Sequence, residues 1–167
     1  MTRNILNINQ LRDKIARLFE NSDKMDFLKT VAKGSLKLLP APKEFSKYMP
    51  AILINVKNVK NDITIKSIQA SVYTYEIIYL KYYNDTDIFG IVEEEFISEC
   101  ESIGNLLLTD TTIQKLIFPN GRCLQTSCSD IEFDTDLSLI FEDLKLPVLT
   151  CSFFFSIYYT SYKNKEV

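Results

Sequence analysis

From Leu149 to Thr160, apolar and polar side chains alternate. Leu149, Cys151, Phe153, Phe155 and Ile157 share one parity; Thr150, Ser152, Ser156 and Thr160 dominate the other, with Phe154 among them. Successive residues of a strand point to opposite faces, whereas a helix repeats about every 3.6 residues. The pattern therefore predicts a long antiparallel strand with one buried face. Tyr158, Tyr159 and Tyr162 carry it into a polar tail, residues 163–167. Leu146 to Tyr162 is also the longest uncharged stretch. It falls short of the roughly 20 apolar residues of a spanning helix, and Ser and Thr recur through it, so a strand accounts for it better than a membrane segment.

Residues 71–83 are dense in β-branched and aromatic side chains. Tyr73, Tyr75, Ile77 and Tyr79 fall on one parity, and Val72, Thr74, Ile78 and Leu80 on the other, with Glu76 interrupting. Both faces of such a strand are at least half covered, which predicts a central position. Residues 51–56 read as a short strand, residues 58–62 (Asn58, Asn61, Asp62) as loop, and residues 122–133 as a further strand after the turn signal Pro119-Asn-Gly121. Ile8, Leu11, Ile15 and Leu18 mark an amphipathic first helix that Asn7 can cap. A second short helix is expected from Ser22 or Asp23, with Phe27, Leu28 and Val31 inward and Gly34 as its stop. Val92, Phe96, Cys100, Ile103 and Leu107 mark a third, with Glu93, Glu94 and Glu95 at its start, and Thr109 or Asp110 caps a further turn through Ile113, Leu116 and Ile117. Residues 134–143 are acidic and read as a loop or extended arm. The expectation is one α+β domain over residues 1–167: a mainly antiparallel four-stranded sheet with N-terminal and central helices packed chiefly on one face.

The chain has 167 residues, enough to bury roughly 70 % of its unfolded surface without staples. It contains no histidine, which removes Ser-His and Cys-His nucleophile pairs and histidine-ligated metals. Four glycines leave no GxGxxG or phosphate loop. The four cysteines, Cys100, Cys123, Cys128 and Cys151, lack zinc-knuckle spacing and read as reduced structural thiols. Asp130, Glu132, Asp134 and Asp136 suit a solvated face or an intersubunit contact better than a hydrolytic pair. Lys57, Lys60 and Lys66 read as a solvated loop rather than a nucleic-acid site, and the net charge of −3 argues against DNA or anionic membrane as main partner. Residues 1–7 carry no apolar signal-peptide core. The expectations are no enzyme activity, no metal and no cofactor.

The order of elements resembles the tail terminator, or tail completion, proteins of long-tailed phages and phage-derived contractile particles. The matching pieces are the opening helix at residues 8–19, the Pro-containing approach Lys47-Tyr-Met-Pro-Ala-Ile-Leu-Ile-Asn55 into the first strand, and the long strand at 71–80. The acidic-start helix at 93–108, the short segment at 110–117, the strand after Gly121 and the final strand at 149–159 complete them. The resemblance rests on size and order of elements. The stretch 134–147 and the aromatic last strand depart from it, and a neck, minor tail or injection-system adaptor of α+β fold is the alternative. What the resemblance implies is a homohexameric ring that caps the tail tube and stops its growth. Its partners would be the tube protein, the sheath in contractile particles and the head-tail connector in virions. DNA would be only passing cargo, and assembly would take place in the bacterial host cytoplasm.

A closed ring needs two unlike surfaces per subunit. Tyr73, Tyr75, Tyr79, Tyr158 and Tyr162 are the candidates for subunit or tube contacts, because large amphipathic side chains suit interfaces. Asp130, Glu132, Asp134 and Asp136 are candidates for a lumen, where repulsion of DNA phosphate prevents sticking.

Overall fold

The structure, a computed structural model, describes residues 2–34, 45–65, 68–83, 89–118, 121–129, 131–134 and 148–162. The first helix, α1 (Thr2–Glu20), turns Leu11, Ile15, Ala16 and Phe19 inward at helical spacing. It starts ahead of Asn7, which is therefore an interior residue rather than the cap. A 3-10 turn (Asp23–Met25) buries Met25 and leads into β1 (Thr30–Lys33).

The expected second helix is thus a turn and a strand. Phe27, Leu28 and Val31 do face the core, but from these elements. The reason lies in pairing: β1 runs parallel to β2 (Ala51–Ile65), with Thr30 opposite Ala51 and Lys33 opposite Ile54. Gly34 continues that ladder, its N–H donating to Ile54 O at 3.0 Å. Its φ of 148° is one that L side chains rarely adopt, which explains glycine there.

A four-residue helix, α2 (Phe45–Tyr48), and a cis Met49–Pro50 peptide precede β2. β2 is 15 residues long and pairs antiparallel with β3 (Ile68–Tyr82) from Ala51–Leu80 to Ile65–Ile68. Asn58, Asn61 and Asp62 therefore lie in strand, not loop. Register shifts at Val56/Asn58 and Asn61/Ile63 absorb them. The first shift has a packing consequence. Val56 lies opposite Tyr75 and Val59 opposite Tyr73, so both valines reach the same core despite their odd spacing.

β7 (Val148–Tyr162) pairs with β3 over its whole length, Ile68 to Tyr162 through Tyr82 to Val148. α3 (Phe89–Thr109) sits over it, with Phe96, Cys100, Ile103 and Leu107 buried. The helix begins four residues ahead of Glu93, so the three glutamates occupy its second turn. After it, Asp110 Oδ1 accepts the Thr112 N–H at 2.6 Å and a single turn follows. β4 (Ile117–Phe118) and β5 (Gly121–Cys128) form a hairpin, Phe118 opposite Gly121. β5 and β6 (Glu132–Asp134) both pair with β7. The strand expected at 122–133 is thus two strands. At the break, Ser129 N–H donates to Phe154 O and Phe154 N–H donates to Ser129 Oγ, both at 2.9 Å.

The fold is α+β, as expected, with α1 and α3 on one face of the sheet. The expectation of a four-stranded, mainly antiparallel sheet is corrected: among the described residues the sheet has seven strands, in the order β1-β2-β3-β7-β5-β4 with β6 also on β7, and β1 makes it mixed. Under the helices lie Ile52, Ile54, Tyr73, Tyr75, Ile77, Tyr79, Cys123, Cys151, Phe153, Phe155, Ile157 and Tyr159. A smaller cluster, Met49, Ala51, Leu53, Ile78, Leu80 and Val148, fills one end of the opposite face.

Three buried tyrosines give the fold an alkaline limit. Burial pushes the phenols of Tyr75 and Tyr79 far above the usual tyrosine range, and that of Tyr159 up to about 12. The raised folded values mean that the unfolded chain releases these protons first, from about pH 10. Their contribution is complete below that pH and is lost as pH rises from there through the folded values. A step in tyrosinate absorbance, from the buried phenols, should therefore accompany the loss of circular dichroism above about pH 10. Ionisation of these phenols within an intact fold would contradict the burial.

Candidate interaction surface

Strand alternation decides which tyrosines can meet a partner. Tyr73, Tyr75 and Tyr79 share the parity that faces α1 and α3, and each is buried. Tyr73 meets Tyr159 edge-on at 5.9 Å, and Tyr75 OH donates to Ile8 O of α1 at 2.9 Å. Tyr79 stacks on Phe96 at 5.5 Å and meets Phe27 edge-on at 5.9 Å. The expectation that these three make subunit contacts is therefore corrected: they are core. A Tyr-rich parity is explained by aromatic area that the helices cover. Tyr158 lies on the opposite parity and is 40 % exposed, which leaves it available for contact. Tyr162 is the last residue of β7, where it pairs with Ile68; its side chain lies outside the description.

The acidic candidates separate. Glu132 and Asp134 lie at the two ends of β6, with their backbones opposite Ser152 and Thr150. Asp130, Asp136 and most of the acidic stretch 134–143 lie outside the described residues, as does Lys66.

The face of the sheet turned away from the helices carries a defined patch at its centre. Thr74, Glu76, Phe154, Ser156 and Tyr158 come from neighbouring positions of β3 and β7, with Glu76 opposite Phe154 and Thr74 opposite Ser156. The two hydroxyls lie 3.1 Å apart. From β2, Asn55 Nδ2 donates to Glu76 Oε2 at 3.3 Å and Lys57 Nζ lies 3.7 Å from the same oxygen. Lys57 also sits 5.6 Å from the centre of the Phe154 ring. Lys57 is thus a strand residue with two partners, not part of a solvated loop. This patch combines an aromatic ring, a charged pair and two hydroxyls on one sheet face. Glu76, the polar interruption of its parity, is the one sequence signal that marked the patch.

A second surface is different in character. The outer side of α3 exposes Ile91, Ile97 and Leu108 among the exposed Glu93, Glu94, Glu95 and Glu101, whereas Ile117, 82 % exposed, lies opposite Arg122 and through it Thr160 and so belongs to the sheet face of Tyr158. Between α3 and β3 lies a charged clamp. Lys81 Nζ donates to Glu99 Oε1 and Oε2 at 2.9 and 2.8 Å and to Glu95 at 3.2 Å. Tyr79 OH donates to Glu99 Oε2 at 2.6 Å. Lys81 and Glu99 carry no signal in the sequence, because they stand 18 positions apart and no motif links them.

Among the described residues no cluster of three or more Cys, Asp or Glu is placed to hold a metal ion, and no helix is long and apolar enough to cross a membrane. Comparison of the sequence with protein-family models and with curated proteins returns no match.

Proposed function

We propose that this chain is a structural ring subunit of the tail-terminator type, which caps a phage or phage-like tail tube and ends its growth. The observation that carries the reading is the presence of two unlike exposed surfaces on one small fold. One is the open sheet patch of Lys57, Glu76, Phe154 and Tyr158; the other is the outer side of α3, where Ile91, Ile97 and Leu108 stand among exposed glutamates. Head-to-tail contact between unlike surfaces closes into a ring when the rotation fits. In this reading the first surface of one subunit meets the second of its neighbour. The acids Asp130, Glu132, Asp134 and Asp136 face the lumen, where like charge keeps DNA phosphate from adhering. Sheath or neck contacts fall to the remaining surface.

Native mass measurement and electron microscopy test this. The expected result is a sixfold ring, alone or on tubes of the partner tube protein, and overlong tubes in particles from a strain lacking the gene. A protein that stays monomeric and never joins a tube, or normal tube length without it, overturns the reading. Tyr158→Ala is expected to weaken ring formation by about tenfold or more while leaving the monomer's melting temperature within about 2 °C.

A further inference from the structure

Two cysteines 51 positions apart meet at the centre of the core. Cys100 comes from the buried face of α3 and Cys151 from the helix-facing parity of β7, where it lies opposite Tyr79. Their sulfurs are 3.0 Å apart and neither side chain is exposed. A disulfide bond is about 2.0 Å long, so bonding needs an approach of only about 1 Å. The other two cysteines differ. Cys123 pairs with Tyr159 and Cys128 with Phe155 on separate rungs of β5, and Cys123 Sγ is directed to Gln125 O at 3.7 Å.

We propose that Cys100 and Cys151 are an intramolecular disulfide site that cross-links α3 to the central strand β7 when the protein meets a small-molecule disulfide. The reaction runs in two exchanges. One cysteine loses its proton to solvent, and its thiolate attacks the reagent's disulfide. A protein–reagent mixed disulfide forms and one reagent thiolate leaves. The second cysteine, deprotonated in turn, attacks the protein sulfur of that mixed disulfide. The Cys100–Cys151 bond forms and the second reagent thiolate leaves. The two protein thiols are oxidised and one reagent disulfide is reduced, its two thiolates taking up from solvent the two protons that the cysteines released.

The hydrogen-bonding contact with Cys100, and then burial, raise the Cys151 thiol well above the ordinary range, and neither sulfur is open to a reagent in the closed core. Exchange therefore proceeds through opening of α3 from the sheet, during folding or under mild denaturant. Reduction of the finished bond meets the same barrier. The chain thus matures with thiols where reductant is abundant and acquires a lock where it is not. This inference goes beyond the ring assignment and does not depend on it.

The test uses the full chain incubated with oxidised glutathione in urea below the unfolding midpoint, then returned to buffer. Non-reducing digestion and mass spectrometry should find the peptides of Cys100 and Cys151 joined, with the loss of two hydrogens and release by dithiothreitol. The Cys123→Ser/Cys128→Ser double variant should cross-link equally. Cys100→Ser should instead stop at a glutathione adduct on Cys151. The cross-linked form should melt higher by roughly 5–15 °C. Glutathione adducts without the Cys100–Cys151 link, or a link involving Cys123 or Cys128 instead, overturn the proposal. So does a cross-linked form that melts no higher than the reduced one.

Discussion

Replacing Tyr79 with alanine is expected to cost about 4 kcal/mol of folding stability, the cost of removing a large aromatic from a packed core. That is a large share of the 5–15 kcal/mol that holds a typical domain folded. Tyr79 is fully buried, stacked on Phe96 and edge-on to Phe27, so the cavity would open among α3, the segment before β1 and β3. The phenol has a separate effect. Tyr79→Phe keeps the ring and removes only the 2.6 Å hydrogen bond to Glu99, a bond to a charged acceptor, for about 2 kcal/mol. Glu99 keeps both contacts from Lys81, which limits the loss. Urea denaturation of the three proteins checks the order. Dilution separates core from interface: a residue acting between subunits changes assembly and leaves the monomer's midpoint alone. Equal midpoints for wild type and Tyr79→Ala would return this tyrosine to the interface where sequence reasoning put it.

That misplacement shows what the sequence carried. Alternation at 71–80 and 149–157 was enough to find both central strands and to sort their residues onto two faces. It could not say which tyrosines the helices cover, because a half-covered strand and a fully covered one share one pattern. The acids and amides of Asn58, Asn61 and Asp62 read as loop because they are poor strand formers. Pairing with residues 68–80 of β3 overrides that preference, and two bulges take up the misfit. Residues 30–33 were hidden for the opposite reason. Four residues carry too little periodicity, and only a parallel neighbour makes them a strand. The same holds for the surface patch. Lys57, Glu76 and Phe154 belong to three strands, and only register places them side by side.

Gly121 shows how one residue type can be found correctly for an incomplete reason. The sequence marks it as part of a turn, after Pro119-Asn. In the structure it also opens β5, opposite Ser161 of β7 and Phe118 of β4. A Cβ placed there would press on the Thr160 carbonyl oxygen and lie 2.6 Å from Tyr159 OH and 2.8 Å from Tyr159 Cε1. Two of these three atoms belong to a buried ring and the third to backbone, so none can swing away. Gly121→Ala must therefore move β5 from β7 or push Tyr159 out of the core that it shares with Tyr73 and Cys123. The expected cost is about 3 kcal/mol, the upper range for overpacking, and Gly121→Val should cost more. Gly90 is the internal control, because a Cβ there meets nothing within 4 Å. Gly90→Ala lies inside α3 near its start, and alanine is the better helix former by up to about 1 kcal/mol, so that variant should melt at or above wild type. Thermal melts of both alanine variants decide the matter. If Gly121→Ala melts with Gly90→Ala, the close approach of β5 to Tyr159 is wrong, and with it the register that seats the hairpin's exposed Ile117 and Leu124 beside β7.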